Sequence, residues 1–363
     1  MRRSLGLVAI AAAGALTLAA CSGSSSSGST GLDPKADLTK QTLTISNWAD
    51  YYPKDLADQV QKAIGTPVTI TNHATNEEIV GKLTAGKDSG IDVAFVSGQY
   101  AQALNDAGLL EPIDPALVPN LKNLYPEATQ LAYDKGNKFS VPYSWGTTGI
   151  CYRSDLVSTP PTSWNDLLNP QGAAKGKTTM LSTERWLALP ALKLDGNSIN
   201  TTDDKQLADA KAKLIAAKPN LLAYDDTTFY TKLVSGEVVQ AEAWDGWCNY
   251  GTAENPNIKF VIPKEGSDLW TDTMVVLKSS KNKEAGMAFI NFILDPKNQA
   301  WVAENILYKV PNKGAMDQVG AALAKQYPNM GMTPADLLKG EAIVDLGDKS
   351  ANYTKLATEV TSS

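Results

Sequence analysis

Strand-like and helix-like patterns alternate along the chain from Gln41 onward. Continuous or alternating apolar runs are typical of strands, whereas apolar residues spaced three and four apart are typical of helices. The predicted strands cover residues 43–46, 68–70, 91–96, 149–152, 238–241, 258–262 and 274–277. One predicted helix runs from Pro53 to Gly65, and a second begins after a Thr75-x-x-Glu78 capping pattern. Three more cover residues 207–217, 229–234 and 284–294. This alternation over short links indicates an α/β fold.

The length of 363 residues exceeds what a single hydrophobic core usually organises, so two domains are expected. No low-complexity linker follows residue 40. The two domains are therefore expected to be connected by strands that cross between them. A cleft is expected at the crossing, because ligands commonly bind at domain interfaces and at the carboxyl edges of sheets.

The first twenty residues have the features of a lipoprotein signal sequence. Two arginines precede an apolar run over residues 5–18 that is too short to span a membrane. The run ends in Leu18-Ala19-Ala20-Cys21, which resembles the bacterial lipobox and implies cleavage before Cys21 and acylation of that residue. The alternative is an ordinary secretory signal that is cut near the same place. We expect a protein held by lipid on the extracytoplasmic face of the cell membrane, in the periplasm or on the outer surface, with no other membrane segment.

Residues 21–40 begin with a Ser- and Gly-rich stretch, which is typical of a flexible tether. Lipid attachment uses one of the three cysteines of the chain and leaves Cys151 and Cys248 in an oxidising compartment. We therefore predict a disulfide between these two residues. Two buried free thiols are the alternative.

Composition excludes several classes of function. The chain has 33 basic and 39 acidic residues, a formal net charge of -6 and no basic stripe, so a nucleic-acid partner is not expected. The single histidine, His73, lies in a polar stretch and is expected at the surface, where it supports neither a catalytic triad nor a zinc site. Common phosphate-binding, dinucleotide-binding, hydrolase and metalloprotease motifs are absent from the sequence. We expect no enzymatic activity, cofactor or metal, and we assign the acid pairs at 203–204 and 225–226 to helix N-termini.

Eight short segments, in one order along the chain, resemble the periplasmic spermidine/putrescine-binding proteins of polyamine ABC transporters. The segments are NWADYYP at 47–53, IDVAFVS at 91–97, VPYSWG at 141–146, AWDG at 243–246, PKEG at 263–266, WTD at 270–272, KNKE at 281–284 and YKVPN at 308–312. The resemblance implies a two-lobed type II periplasmic solute-binding fold with strand crossovers at a hinge. It implies one lobe formed by residues 41–147 and 271–316, and a second formed by residues 148–270 and 317–363.

The resemblance also implies which residues bind the ligand. Matched position by position, they are Trp48, Tyr51, Ser97, Trp244, Trp270, Asp272 and Tyr308. These residue types suit a small organic cation, because a buried ammonium needs a carboxylate and indole faces both attract cations and cover alkyl stems. The implied ligand is a polyamine such as putrescine or spermidine. The implied partner is the permease of an ABC importer, and the binding protein is expected to be a monomer.

The second lobe departs from the family pattern where further carboxylates are usual. Thr183 and Trp186 occupy the positions of two acids, so Glu184 and Asp245 are the candidates for a second ligand carboxylate. Trp247 is expected to pack against the predicted disulfide. An alternative hypothesis keeps the fold and changes the solute to a quaternary ammonium, an amino-acid derivative or ferric ion.

Overall fold

The computed structural model describes residues 31–86 and 88–363. The predicted signal sequence, the lipobox residue Cys21 and the first part of the tether lie outside the described residues. No helix in the described part of the chain is both long and apolar enough to cross a lipid bilayer.

Eleven strands and thirteen α-helices occur in the described residues. The strands are β1 (Leu43–Trp48), β2 (Val68–His73), β3 (Val93–Ser97), β4 (Val141–Gly146), β5 (Thr148–Arg153), β6 (Thr178–Met180), β7 (Ala223–Tyr224), β8 (Gln240–Trp244), β9 (Ile258–Val261), β10 (Asp268–Val276) and β11 (Glu341–Ala342). The helices are α1 (Leu56–Ile64), α2 (Asn76–Thr84), α3 (Gly98–Asp106), α4 (Trp164–Leu168), α5 (Glu184–Leu194), α6 (Asp204–Ala217), α7 (Phe229–Ser235), α8 (Asp245–Glu254), α9 (Lys283–Ile293), α10 (Pro296–Ile306), α11 (Lys313–Gln326), α12 (Pro334–Leu337) and α13 (Ser350–Ser362).

The first sheet contains six strands in the order β11-β10-β3-β1-β2, with β4 also paired to β10. Strand β1 is parallel to β2 and β3, whereas β10 is antiparallel to β3 and β4. Parallel strands end at the same edge of a sheet, and that edge is where α/β proteins usually bind ligands. Here it carries Trp48 at the end of β1 and Ser97 at the end of β3.

The second sheet contains five strands in the order β7-β6-β8-β5-β9. Helices α5, α6 and α13 pack together in this half of the molecule, while α11 packs against α10. A disulfide joins Cys151 of β5 to Cys248 of α8, with 5.7 Å between their Cα atoms. This is the pairing that the cysteine count predicts.

Two crossings of the chain between the sheets lie at adjacent points, and a later one follows β11, since α13 packs against α5 and α6. Only Thr147 separates β4 from β5, and β10 begins at Asp268 close to the start of β5. The buried carboxylate of Asp268 accepts hydrogen bonds from the backbone N–H of Thr148 at 2.7 Å and from the indole N–H of Trp186 at 2.8 Å. Burial raises the pKa of Asp268 to about 6, although these hydrogen bonds oppose the shift. The side chain of Asp268 therefore connects the starts of β5 and β10 with α5 through hydrogen bonds.

Every predicted strand and helix is present, with differences at the ends. Helix α1 ends at Gly65, which has a φ of 77° and so adopts the left-handed conformation that glycine favours. Strand β10 is longer than predicted because it starts at the crossing and continues into the first sheet. Helix α5 was not predicted, since it is buried on almost all sides and contains Pro190, and so shows no polar face.

Candidate functional site

A cavity of about 260 Å³ lies between residues of the two sheets, and eight aromatic residues of the described part of the chain line it. The aromatic lining residues are Trp48, Tyr51, Trp186, Trp244, Trp247, Tyr250, Trp270 and Tyr308. Four carboxylates also line the cavity, from Asp50, Glu77, Asp226 and Asp272. Among the described residues that line it, none is Lys, Arg or His. Aromatic faces combined with uncompensated carboxylates favour an organic cation.

Asp272 is held in place by two hydroxyl groups of the first sheet's half. Asp272 of β10 lies opposite Ser97 of β3 in the antiparallel register, and the Ser97 hydroxyl donates to its carboxylate at 2.7 Å. The phenol of Tyr51 donates to the other carboxylate oxygen at 2.9 Å. Loss of hydration raises the pKa of Asp272 to about 6, while the two hydroxyl donors limit the shift. A cation that entered the cavity would restore the interaction that the carboxylate loses on leaving water.

The aromatic rings on this side contact one another edge to face. The ring of Tyr51 lies 5.8 Å from Trp48 and 5.1 Å from Tyr308, and Tyr308 lies 5.5 Å from Trp270. Edge-to-face packing leaves ring faces available to other groups. The arrangement offers faces for the alkyl part of a ligand beside the carboxylate of Asp272.

The prediction that His73 lies at the surface is wrong. His73 is 5% exposed, its Nδ1 lies 2.9 Å from the hydroxyl of Ser46, and its ring lies 4.8 Å from Trp48. It ends β2 beside the end of β1, and the parallel pairing of those strands carries it under the indole. Burial lowers the pKa of His73 to about 4, so the ring is neutral near pH 7 and adds no positive charge near the cavity.

The other side of the cavity is formed by residues of the second sheet's half. Trp244 ends β8, and its ring lies 5.5 Å from Trp186 of α5, edge to face. Trp247 also lines the cavity, and its ring packs against Tyr230 and Tyr250 at 5.3 and 5.6 Å. Trp247 therefore belongs to the aromatic wall of the cavity, and its packing against the disulfide stays a prediction.

Two glycines allow an aromatic ring to lie against the backbone, Gly146 within the first sheet and Gly246 between the two halves. A Cβ atom at Gly246 would overlap the ring of Tyr308, and one at Gly146 would overlap the ring of Trp270. Both rings therefore rest directly on backbone, and any side chain at either position would displace a cavity wall.

The structure brings most of the predicted binding residues together. Trp48, Tyr51, Ser97, Trp244, Trp270, Asp272 and Tyr308 all line the one cavity. The two candidates for a second carboxylate do not line it. Glu184 accepts a hydrogen bond from the Thr354 hydroxyl at 2.8 Å, and Asp245 forms an ion pair with Lys309 inside the protein. These contacts correct the expected placement of Glu184 and Asp245, because each carboxylate is turned toward a partner within the chain.

Among the described residues, the second half contributes one acid to the cavity lining, Asp226, which was not predicted as a binding residue. The pair at 225–226 follows β7 directly and was assigned as a whole to a helix N-terminus. Asp225 does accept from the backbone N–H groups of Thr227 and Thr228 at 3.0 and 2.7 Å, but Asp226 lines the cavity. The position of the pair at the end of a strand was the available signal for a cavity residue.

No group of three or more His, Cys, Asp or Glu side chains that could hold a metal ion occurs within residues 31–86 and 88–363.

A model of the bacterial extracellular solute-binding protein family matches residues 55–331. The chain belongs to this family. The match confirms the resemblance noted in the sequence and the expectation that the protein binds a solute and does not catalyse a reaction. It also places the protein in a family that works outside the cytoplasm, in the extracellular or periplasmic space.

Relatives within the family share most of their length with this chain. The spermidine/putrescine-binding periplasmic protein of Salmonella typhimurium is 33% identical over 316 residues, which cover 86% of this chain and 89% of that protein. The putrescine-binding periplasmic protein PotF of Escherichia coli is 30% identical and covers 82% of this chain and 85% of its own length. The solved structure of the spermidine/putrescine ABC transporter substrate-binding protein PotD from Streptococcus pneumoniae superposes with a TM-score of 0.77 at 28% identity, covering 89% of this chain and 99% of that one. These likenesses confirm the two-lobed α/β solute-binding fold.

Proposed function

We propose that this protein captures a polyamine, or a closely related organic cation, in the cavity between its two sheets. The observation that carries the proposal is the carboxylate of Asp272, which lies in an aromatic cavity that no basic side chain of residues 31–86 and 88–363 lines. The names of the relatives from Salmonella typhimurium and Escherichia coli point to the same class of ligand.

Capture follows from where the binding groups lie. An ammonium group pairs with Asp272, whose orientation Ser97 and Tyr51 fix before the ligand arrives. The indole faces of Trp48 and Trp244 then cover the alkyl part, one from each half of the molecule. A ligand that contacts both halves stabilises the form in which they are closed together, so binding shifts the population toward that form.

The hinge of this movement is proposed at the two crossings. Two of the boundaries implied by the resemblance, 147/148 and 270/271, fall at Thr147 and within β10, whereas the third, 316/317, falls within α11. The fixed hydrogen bonds of Asp268 to Thr148 and Trp186 hold the crossings together during opening.

The closed, loaded form is proposed to deliver its ligand to the permease of an ABC importer as a monomer anchored by lipid at Cys21. Replacing Cys21 with Ala should move the protein from the membrane fraction to the soluble fraction without changing ligand affinity. A variant that stayed in the membrane fraction would contradict the lipid anchor and leave the binding function untouched.

Isothermal titration calorimetry tests the ligand class directly. Putrescine and spermidine should give saturable heats, and neutral amino acids of similar size should give none. Choline serves as the comparison for quaternary ammonium compounds, because aromatic cavities also bind such groups. Heat from choline or an amino acid combined with none from either polyamine would overturn the proposal.

A further inference from the structure

A dication in the cavity needs a carboxylate in addition to Asp272. Among the described residues that line the cavity, Asp50, Glu77 and Asp272 belong to the first half, and Asp226 is the carboxylate of the second half. One carboxylate neutralises one ammonium group, and a second ammonium taken out of water would remain costly without its own partner. The segment at 183–186 does not supply that partner, since Glu184 is turned toward Thr354. Asp245 does not supply it either, since Lys309 already neutralises it.

Asp226 has the geometry of a carboxylate prepared for a ligand. Its oxygens accept hydrogen bonds from the backbone N–H of Ser182 at 2.8 Å and from the hydroxyl of the same residue. Each carboxylate oxygen has a second lone pair, so these bonds orient the group without exhausting its capacity to accept. Among the ion pairs of the described residues, none involves Asp226, although it borders the cavity.

The neighbouring acid, Asp225, differs from Asp226 because its carboxylate is neutralised within the protein. Asp225 accepts from two backbone N–H groups and from the Thr228 hydroxyl, and it forms an ion pair with Lys232 at 2.7 Å. The chain therefore neutralises one acid of the pair and leaves the other facing the cavity. A carboxylate kept free of basic partners beside aromatic walls suits a cationic ligand group.

Asp226 and Asp272 belong to different halves of the molecule. Asp272 lies on β10 of the first sheet, whereas Asp226 follows β7 at the edge of the second. The second half also contributes the rings of Trp186 and Trp244 to the lining of the cavity. A ligand that satisfies both carboxylates must carry two cationic groups joined by an apolar stem.

We propose that Asp226 supplies the second ligand carboxylate and makes the site selective for organic dications over monocations of equal length. This inference rests on the proposed function and adds to it the residue that sets charge selectivity. Asp226 binds the ammonium group farther from Asp272 and takes the role of the two acids whose positions Thr183 and Trp186 occupy.

The test compares putrescine with butylamine, which has the same four-carbon stem and one ammonium group. Their dissociation constants are measured by calorimetry, or by NMR titration for weak binding, in the wild type and in Asp226→Asn. The Asn side chain keeps an acceptor for Ser182, so the loop retains its hydrogen bond. We expect putrescine affinity to fall on the order of tenfold to a hundredfold and butylamine affinity to stay unchanged.

Glu237→Gln is the matched control. Glu237 is an exposed acid of the same half, away from the cavity lining, so this variant removes the same net charge without touching the site. Both amines should bind it as they bind the wild type. A second variant, Asp226→Glu, retains the charge and should retain most of the preference for putrescine.

The outcomes separate this inference from the proposed function. A putrescine-to-butylamine affinity ratio that is unchanged in Asp226→Asn, in a wild type that binds putrescine, would overturn the role of Asp226 and leave the proposed function intact. An equal loss for both amines would show a general disturbance of the site and would also overturn it. A wild type that bound neither putrescine nor spermidine would overturn both.

Discussion

The ammonium of Lys309 and the carboxylate of Asp245 form an ion pair that is almost completely enclosed by protein, with 3% and 2% of the two side chains exposed. Lys309 hydrogen-bonds through its carbonyl to β4 of the first sheet, whereas Asp245 begins α8 in the other half. Asn329 contacts both residues of the pair. Its backbone carbonyl accepts from the Lys309 ammonium at 3.2 Å, and its side-chain amide donates to the backbone carbonyl of Asp245 at 2.8 Å. The pair thus connects the two halves behind the cavity.

Replacing Lys309 with Met should lower the free energy of unfolding by about 3 kcal/mol, because it leaves the carboxylate of Asp245 buried without a partner. The double variant Lys309→Met, Asp245→Asn should recover a large part of that loss, since no unpaired charge remains. Urea unfolding of the unliganded protein measures both values.

Lys313→Met is the control for this prediction. Lys313 pairs with Asp317 at 2.6 Å on the surface, with 60% and 59% of the two side chains exposed. Exposed pairs of this kind contribute at most about 1 kcal/mol, so the control variant should unfold close to the wild type. Equal losses in the two single variants would contradict the stabilising role of the buried pair.

Replacing Asp272 with Asn should lower putrescine affinity on the order of a hundredfold, because the ligand ammonium would be buried beside a neutral amide. Calorimetric titration measures the change. Asp106→Asn, which removes an exposed acid at the end of α3, should bind putrescine like the wild type. Unchanged affinity in the Asp272 variant would refute its place at the centre of the site.

Putrescine affinity should depend on pH through Asp272. Its pKa of about 6 in the unliganded protein means that lowering the pH through this value protonates the carboxylate that the cation needs. Affinity should therefore be about tenfold weaker at about pH 5 than at about pH 8, with about half a proton released on binding near pH 6. Titrations in buffers of different ionisation enthalpy measure the released protons. In Asp272→Asn, the dependence near pH 6 should disappear.

The stability of the unliganded protein should change with pH in the opposite sense at this residue. The pKa of Asp272 is raised on folding, from an ordinary value of about 4 to about 6. Its protonated form is therefore favoured by folding, and the resulting stability is fully present below about pH 4 and is lost as the pH rises through about 6. Unfolding of Asp272→Asn should show less of this decline than the wild type across the same range.

Replacing Gly246 with Ala should weaken putrescine binding and lower the free energy of unfolding by about 1–3 kcal/mol, because the new methyl group displaces the ring of Tyr308. Thermal unfolding and calorimetry measure the two effects. Gly81→Ala is the control, since a Cβ atom at this exposed position of α2 meets no other atom. That variant should bind normally and gain up to about 1 kcal/mol from helix propensity. Equal behaviour of the two variants would contradict the close contact at Gly246.

Replacing both Cys151 and Cys248 with Ala should lower the free energy of unfolding by about 2–5 kcal/mol, because the bridge restricts the unfolded chain between residues 97 positions apart. Neither cysteine lines the cavity, so putrescine affinity should change little. Thiol titration of the denatured, unreduced wild type provides the direct check, and two reactive thiols would show that the bridge does not form.

The parts of the fold that sequence predicted are those with a local signal. Helix α1 has its apolar face, its length and its terminating Gly65 within one short segment. Helix α5 lacks such a signal because residues buried all round a helix show no contrast between faces. The position of His73 depends on the pairing of β2 with β1, which places it under Trp48. Its polar neighbours in sequence pointed instead to solvent.

Family motifs predict residues of the cavity lining at the ends of strands, as at Trp48 and Trp244, and within a strand, as at Asp272. The prediction failed where the direction of a side chain depends on a distant partner. Asp245 pairs with Lys309, which lies 64 positions away in the chain, and does not line the cavity. No residue near Asp245 in the sequence indicates this pairing. Asp225 and Asp226 are chemically identical, so only the tertiary arrangement shows that Asp225 pairs with Lys232 whereas Asp226 lines the cavity.

The covalent bridge of this protein lies wholly within one half of the molecule, on a strand and a helix of the second sheet's side. An oxidising environment therefore makes that half harder to unfold without fastening it to the other. The bridge thus adds durability to one half and places no covalent restraint on the proposed opening and closing of the two halves.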